Sequence, residues 1–406
     1  MNCLVLAGGY DQIALIKELK KKNIRVILAD YFENPPAKDF ADKHYQASTL
    51  DIDAIKEIAI SENIDLITTA CTDQALLTVA QVSEELGLPC YISYDIARNV
   101  TNKLYMKEKF INGGIPTAKY KIIDKFDRKL LSEFKYPLVV KPVDCNSSKG
   151  VKKVICDKKL EEAVNEALSL SRTKTAIIEE FKDGKEVSVD VYIDNGVAKV
   201  LSITESTKSR INEEGFTITQ SKYPANISDF QKKEIDLISQ KISDEFTLIN
   251  SPMLIQLILG EDEINVLEFS ARMGGGTKYK LIEIISGVDI MNKYVELILG
   301  LKPSVESSHK INYAYMNYCY ANNGILDRIE NFDKLKKEKI ICDYFEYKTK
   351  GMKIEKALTS SDRVAGYLII GNTIEEIYKK QEIADKQLKI ISSEDKDITI
   401  RGWVSK

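Results

Sequence analysis

A chain of 406 residues exceeds what one hydrophobic core organises, so two or three domains are expected. With 44% hydrophobic residues and only 9 prolines the sequence is globular and not disordered, and a net charge of −3 offers no field that would draw nucleic acid. Apolar runs such as Met253 to Leu259 fall short of the roughly 20 residues a membrane helix needs, and the first residues, MNCLVLAGG, read as a strand and not a signal peptide, so a cytoplasmic protein without membrane contact is expected.

In chain order, CLVLAGG, DQIALIKELKKKN, RVILAD, DIDAIKEIAISEN, DLITTA and ALLTVAQVSEELG alternate strand and helix before a last strand at PCYIS. Such alternation implies a parallel sheet with helices on both faces, half of a doubly wound fold. Its first turn carries only Gly8 and Gly9, which reads as a plain tight turn and not a dinucleotide fingerprint. The helix NVTNKLYMKEKFINGG follows, stopped by Gly113-Gly114. YPLVVKPVDCNSSKGVKKV then reads as a hairpin whose polar loop could close over phosphates. After the helix KKLEEAVNEALSLSR come strands TAIIEE, EVSVDVYID and AKVLSIT, an irregular polar loop from Glu205 to Lys222, the helix DFQKKEIDLISQKISDEF, paired strands MLIQLIL and INVLEFS, and one helix KLIEIISGVDIMNKYVELILG. Beyond Pro303, NYAYMNYCY alternates at period two and predicts a small separate β-rich domain with tyrosines packed on a sheet face. The domains expected are 1–95, 96–303 with a lid at about 117–182, and 304–406. Seven scattered cysteines predict reduced thiols, and the isolated His44 and His309 do not predict imidazole catalysis.

The most informative stretch is NVLEFSARMGGGT, residues 265–277. Strand side chains alternate, so Glu268, Ser270 and Arg272 point one way if the extended conformation persists. They offer a metal-binding oxygen, a polar group and an anion clamp, and Gly274 to Gly276 allow a close turn past a ligand. Gln256 and Glu268 fall on strands separated by a turn at Gly260 to Glu263, which a hairpin would bring side by side.

Taken in order, these elements resemble the ATP-grasp superfamily over residues 1–300, and VAGYLIIGNTIEEIYKKQEIADKQL resembles the final domain of biotin carboxylase-like members. The resemblance implies an N-terminal α/β domain, a central ATP-grasp domain with a lid and a small C-terminal α+β domain. It implies that Lys103 and Lys141 meet the α- and β-phosphates, that the loop of Ser147, Ser148 and Gly150 covers them, that the backbone of Glu179, Glu180, Phe181 and Lys182 reads adenine, and that Glu186 meets the ribose hydroxyls. Gln256, Glu268 and Ser270 would hold Mg²⁺ or Mn²⁺. The family's usual asparagine is Ser270 here, and carbamoyl phosphate synthetase shares the glutamine at the first position. Arg272 would stabilise the transferring phosphoryl group, and Arg210 together with the Gly274 to Thr277 turn would grip the substrate carboxylate. The expected activity is an ADP-forming carboxylate–amine ligase working through an acyl phosphate on small molecules such as amino acids, in a chain that could form a homodimer. A bicarbonate-using enzyme and a nucleotide-binding protein without catalysis are the alternatives.

Overall fold

The computed structural model describes residues 1–145, 149–208, 217–261, 263–308, 311–355 and 359–401, so the readings placed on Ser147, Ser148, Arg210 and His309 lie outside the described residues. A parallel sheet opens the chain in the order Lys43–Gln46, Arg25–Asp30, Asn2–Leu6, Leu66–Thr68. Period-two alternation sends Cys3 and Val5 toward Leu15, Ile16 and Leu19 of the helix Tyr10–Lys21, and Leu4 and Leu6 toward Ile55, Ile58 and Val79 of the helices Ile52–Ser61 and Asp73–Leu86. Both faces are therefore covered, and each fully buried aliphatic side chain adds about 1.5–3 kcal/mol. The Gly8 N–H donates to Asp30 Oδ2 at 2.7 Å, closing the first turn on the protein itself. Two details differ from expectation. Lys43–Gln46 is an added edge strand, too polar to announce itself, and PCYIS forms no strand, since Pro89 brings no ladder donor.

An antiparallel sheet of eight strands forms the centre: Ile264–Ser270, Ser251–Leu259, Lys185–Asp194, Val197–Lys208, Ile218–Tyr223, Tyr313–Cys319, Ala365–Gly371 and Asp343–Glu346. The strand Ile218–Tyr223 replaces part of the expected irregular loop. Several of its polar side chains are buried and find partners inside the sheet, Gln220 Nε2 donating to Asn317 Oδ1 at 2.6 Å and Thr219 Oγ1 to Thr207 O at 3.1 Å, so a polar sequence masks an interior strand. That strand is the seam through which Tyr313–Cys319, expected to lie in a small separate domain, joins the central sheet. Both faces of Tyr313–Cys319 are covered, with Tyr315 in one core and Ala314, Met316 and Tyr318 in another.

The lid is a four-stranded antiparallel sheet, Tyr120–Ile123, Ala176–Glu180, Leu138–Pro142 and Lys152–Val154, packed under the helix Asp157–Leu170 through Leu138, Val140, Ile178, Leu160 and Val164. Two helices expected as continuous are broken. Asn102 leaves helical geometry and its side chain accepts from Leu104 N at 2.9 Å, so Tyr94–Thr101 ends and Lys103–Asn112 starts afresh with Lys103 in its first turn. Gly287, with φ of 75°, separates Lys278–Ser286 from Ile290–Ile298. Among the described residues all seven cysteines are free, and no helix is long and apolar enough to cross a membrane.

Gly184 fixes the turn from lid to central sheet. Its φ is +147°, and a Cβ there would lie 2.3 Å from the Leu259 carbonyl oxygen, a backbone atom that cannot rotate away. Gly184→Ala is expected to cost about 1–3 kcal/mol in urea unfolding. Unchanged stability would show that this turn has room to move.

Candidate active site

The helix restart at Asn102 places Lys103 and Lys107 one turn apart on one buried face. Lys107 Nζ lies 2.8 Å from Glu179 Oε1, and Lys141 Nζ, arriving from the lid strand Leu138–Pro142, lies 2.6 Å from Glu179 Oε2. One carboxylate on the lid strand Ala176–Glu180 thus holds two ammonium groups. Burial opposes its ionisation, but Lys107 and Lys141 outweigh that and hold its pKa down to about 2. Burial and the like charge of Lys141 lower Lys107, although Glu179 pulls the other way.

Lys103 reaches in another direction, donating to Cys145 O at 2.8 Å and lying 3.1 Å from Glu268 Oε2. Burial works against both charges, yet each partner keeps the other ionised, Glu268 below the ordinary carboxylate range and Lys103 above the ordinary ammonium range. Three buried ammoniums therefore face two carboxylates, leaving one positive charge for an anionic ligand.

Gln256 and Glu268 are direct cross-strand partners, as the spacing predicted. Ser270 and Arg272 share a side with Glu268 but converge on Asp73, in the first turn of the helix Asp73–Leu86. Arg272 Nε donates to Asp73 Oδ1 at 2.7 Å, its Nη2 pairs with Oδ2, and Ser270 Oγ donates to Oδ1. Ser270 is buried and lines neither cavity described below, so its expected place beside Gln256 and Glu268 is taken by this contact with Asp73.

A cavity of about 410 Å³ lies between lid and central sheet, lined by Lys103, Lys141, Glu179 to Lys182, Glu186, Lys208, Gln256 and Glu268. At its rim the Phe181 N–H is taken by Pro137 O at 3.0 Å, whereas the Lys182 N–H has no partner among the described residues. The Lys182 side chain turns away to Glu263 at 3.0 Å. Glu186 is buried and ion-paired with Lys208. Gly150, with φ of +73°, packs its Cα against Leu170 and Pro142 at the back of the lid hairpin and is absent from the cavity lining.

A second cavity of about 530 Å³ adjoins the first and shares Gln256 and Glu268 with it. Asp73, Arg272, Gly274, Gly275, Lys278, Tyr318 and Arg363 are among its walls. The glycine turn is held from both sides of the chain: Asp11 accepts from Gly276 N at 3.1 Å and Thr277 N at 2.8 Å, and Tyr318 OH donates to Gly276 O at 3.1 Å. Lys278 is buried beside Asp190, 3.9 Å away, and donates to Thr204 Oγ1; burial first of all lowers its pKa.

Sequence reasoning missed Lys107, Asp73, Lys278 and Arg363. The four-residue spacing of Lys103 and Lys107 was a usable signal, whereas Asp73 and Arg363 reach the site from distant segments with no local pattern.

Residues 134–280 match the ATP-grasp domain family. The chain is 26% identical over 198 residues to the formate-dependent phosphoribosylglycinamide formyltransferase of Sulfurisphaera tokodaii, an alignment covering 47% of this chain and 49% of that protein. It is 22% identical to the phosphoribosylamine–glycine ligase of Methanocaldococcus jannaschii across 96% of this chain and 94% of that one. Among solved structures it resembles the L-amino acid ligase of Bacillus licheniformis with a TM-score of 0.77 and 22% identity, covering 97% of this chain and 98% of that one. Residues 134–280 therefore carry the ATP-grasp domain match, and the fold around them is like that of the solved ligase. The chain spans about half the length of the first of these relatives and nearly all of the second.

Glu179→Gln keeps the shape and removes the charge between two buried ammoniums, and is expected to cost about 3–5 kcal/mol in urea unfolding at neutral pH. In the parent, the stability from ionised Glu179 is complete above the ordinary carboxylate pKa of 4.5 and is lost as the pH falls toward about 2. That acid limb should flatten in the variant. A loss below 0.5 kcal/mol, on the scale of ordinary surface changes, would mean that the ion pair does not anchor the lid.

Proposed function

We propose that the protein is an ATP-dependent carboxylate–amine ligase, in which ATP phosphorylates a substrate carboxylate and an amine displaces the phosphate to form an amide or peptide-like bond. The observation that carries this reading is the junction of the two cavities at Gln256 and Glu268, with Arg272 on the far side and Lys103 and Lys141 on the near side. The surplus charge of the lysines suits a polyphosphate. The unpartnered Lys182 N–H suits a purine nitrogen, and Glu186 could accept from both ribose hydroxyls. Glu268, whose Oε1 is free of Lys103, and the Gln256 amide oxygen form a donor set that fits Mg²⁺ or Mn²⁺. Such an ion, when bound, offsets the negative charge of the phosphates.

Arg272 has a fixed task. Asp73 orients its guanidinium before any substrate arrives, so charge developing on a phosphoryl group or an acyl phosphate meets a donor that needs no reorganisation. Closure of the lid over the junction excludes water that would hydrolyse the intermediate. A second cavity of about 530 Å³ is far larger than bicarbonate requires and favours an organic acid and amine, for which amino acids are the leading candidates.

Turnover should release ADP and one orthophosphate per bond formed. Arg272→Ala should lower kcat by a factor on the order of 10²–10³, by analogy with loss of an oxyanion donor, with a much smaller change in the KM for ATP. AMP and pyrophosphate among the products would overturn the acyl-phosphate chemistry.

Glu268→Gln should keep nucleotide affinity, lose most activity and need more Mg²⁺ for what remains, because the charge that anchors the ion is gone. A magnesium titration that overlays that of the parent would make Glu268 a structural partner of Lys103 alone.

A further inference from the structure

The second cavity contains a cation that the chemistry above does not use. Arg363 follows the short helical turn Ser360–Asp362 and directs its guanidinium into the wall beside the glycine turn. It lies 3.7 Å over the Tyr318 ring and is hydrogen-bonded to the Tyr320 hydroxyl. It has no carboxylate within ion-pair distance among the described residues, and its buried Nε has no hydrogen-bond partner. The acids near it are engaged elsewhere: both Asp11 oxygens accept from the backbone of Gly276 and Thr277, and Asp362 accepts from Thr359 N at 2.8 Å in its own turn.

Two other cations of this wall are already matched, while Lys149 reaches it from the lid hairpin. Arg272 is taken by Asp73, and Lys278 has Asp190 at 3.9 Å and a hydrogen bond to Thr204. Arg363 is thus a half-buried cation that lines a cavity, its Nε sealed from solvent and unpartnered, and burying such a group without an anion is costly. Its aromatic seat leaves the planar fork in one orientation, suited to two parallel hydrogen bonds with a carboxylate. Gly276 makes room for this arrangement, since a Cβ there would lie 2.4 Å from Arg363 Nη1.

We propose that Arg363 is a specificity residue that grips a carboxylate which is not the one activated, so that one substrate of the second cavity is an amino acid or a similar small carboxylate-bearing amine. This rests on the ligase reading. The amine would be presented toward the junction at Glu268 while its own carboxylate is anchored at the far wall, which prevents that carboxylate from being phosphorylated.

Two measurements keep this inference separable from the reaction. In the first, the twenty common amino acids and their decarboxylated amines are titrated by calorimetry into protein saturated with MgADP. In the second, ADP release from MgATP is followed with the same compounds, singly and in pairs. The parent should bind at least one amino acid and not the matching amine. Arg363→Ala should weaken that binding by about 10- to 100-fold, the range for one charged hydrogen-bonded contact, and abolish the discrimination against the amine. Arg363→Lys, which keeps the charge but not the fork, should recover only part, and unchanged MgADP affinity in both variants reports an intact fold. Equal amino-acid affinity in parent and Arg363→Ala overturns the proposal, as does binding of inorganic phosphate in place of any amino acid. Binding that depends on Arg363 without ADP release from any combination would instead sink the ligase reading and leave the carboxylate site standing.

Discussion

Glu179 is the point on which the site depends. A carboxylate at full burial survives only if its charge is matched, and here two ammoniums match it from different elements: Lys107 from the helix Lys103–Asn112 and Lys141 from the lid strand Leu138–Pro142. That contact ties three segments together at the place where a nucleotide would enter. Because the same helix carries Lys103 to Glu268, the lid and the central sheet are coupled through a single rigid element and not through the flexible ends of loops. The cost of burying these charges is offset only when all are present, which makes the arrangement specific more than it makes it stable.

The second constraint is convergence on the glycine turn. The helix Lys278–Ser286 begins at Thr277, whose side chain supplies no cap. Asp11, from the first helix of the chain, accepts from the backbone N–H groups of Gly276 and Thr277 instead, and its negative charge also suits a helix N-terminus. From the opposite side Tyr318 and Arg363 close on Gly276. The cavity beyond Glu268 is therefore built by the first, middle and last parts of the sequence, and its shape cannot be fixed until all three are docked.

Much of this was legible in the sequence, and the limits are physical. The Gln256–Glu268 pairing follows from a short turn between two apolar strands, and the lid hairpin from a charge ending a β-branched run before a polar loop. Lys141 was readable because a lysine closing such a strand demands a partner. Lys107 was not recognised as a buried partner of Glu179, since a helix lysine is ordinarily solvated and burial cannot be seen in one dimension. The strand Ile218–Tyr223 was hidden because its polar side chains pair with Asn317 and Thr207, partners supplied only by the sheet. The tyrosines of Tyr313–Cys319 announced a strand correctly, but their alternation says nothing of which sheet it joins. The break at Asn102 shows the reverse case: an asparagine in a helical pattern was a local signal for a new N-terminus, and its competition with the helix backbone sets the direction of Lys103.

Arg272 shows how pairing and availability coexist. An arginine held by an aspartate might be thought spent, yet a guanidinium carries five N–H donors. Asp73 takes the Nε donor and one from Nη2, and Met273 O takes one from Nη1 at 2.7 Å. Two donors remain, one on each terminal nitrogen, in a plane that Asp73 has already set. The carboxylate moderates the charge felt by a bound ground state while leaving the directional donors for the moment at which charge develops, and that difference is what favours a transition state over a substrate. Arg363 is arranged in the opposite way, with an aromatic seat and, among the described residues, no acid within ion-pair distance, and so offers its full charge to whatever is bound at rest. The two arginines of one cavity thus differ by their neighbours: the one paired with an acid fits the role proposed for it in the reaction, and the one without an ion pair fits the role proposed for it in recognition.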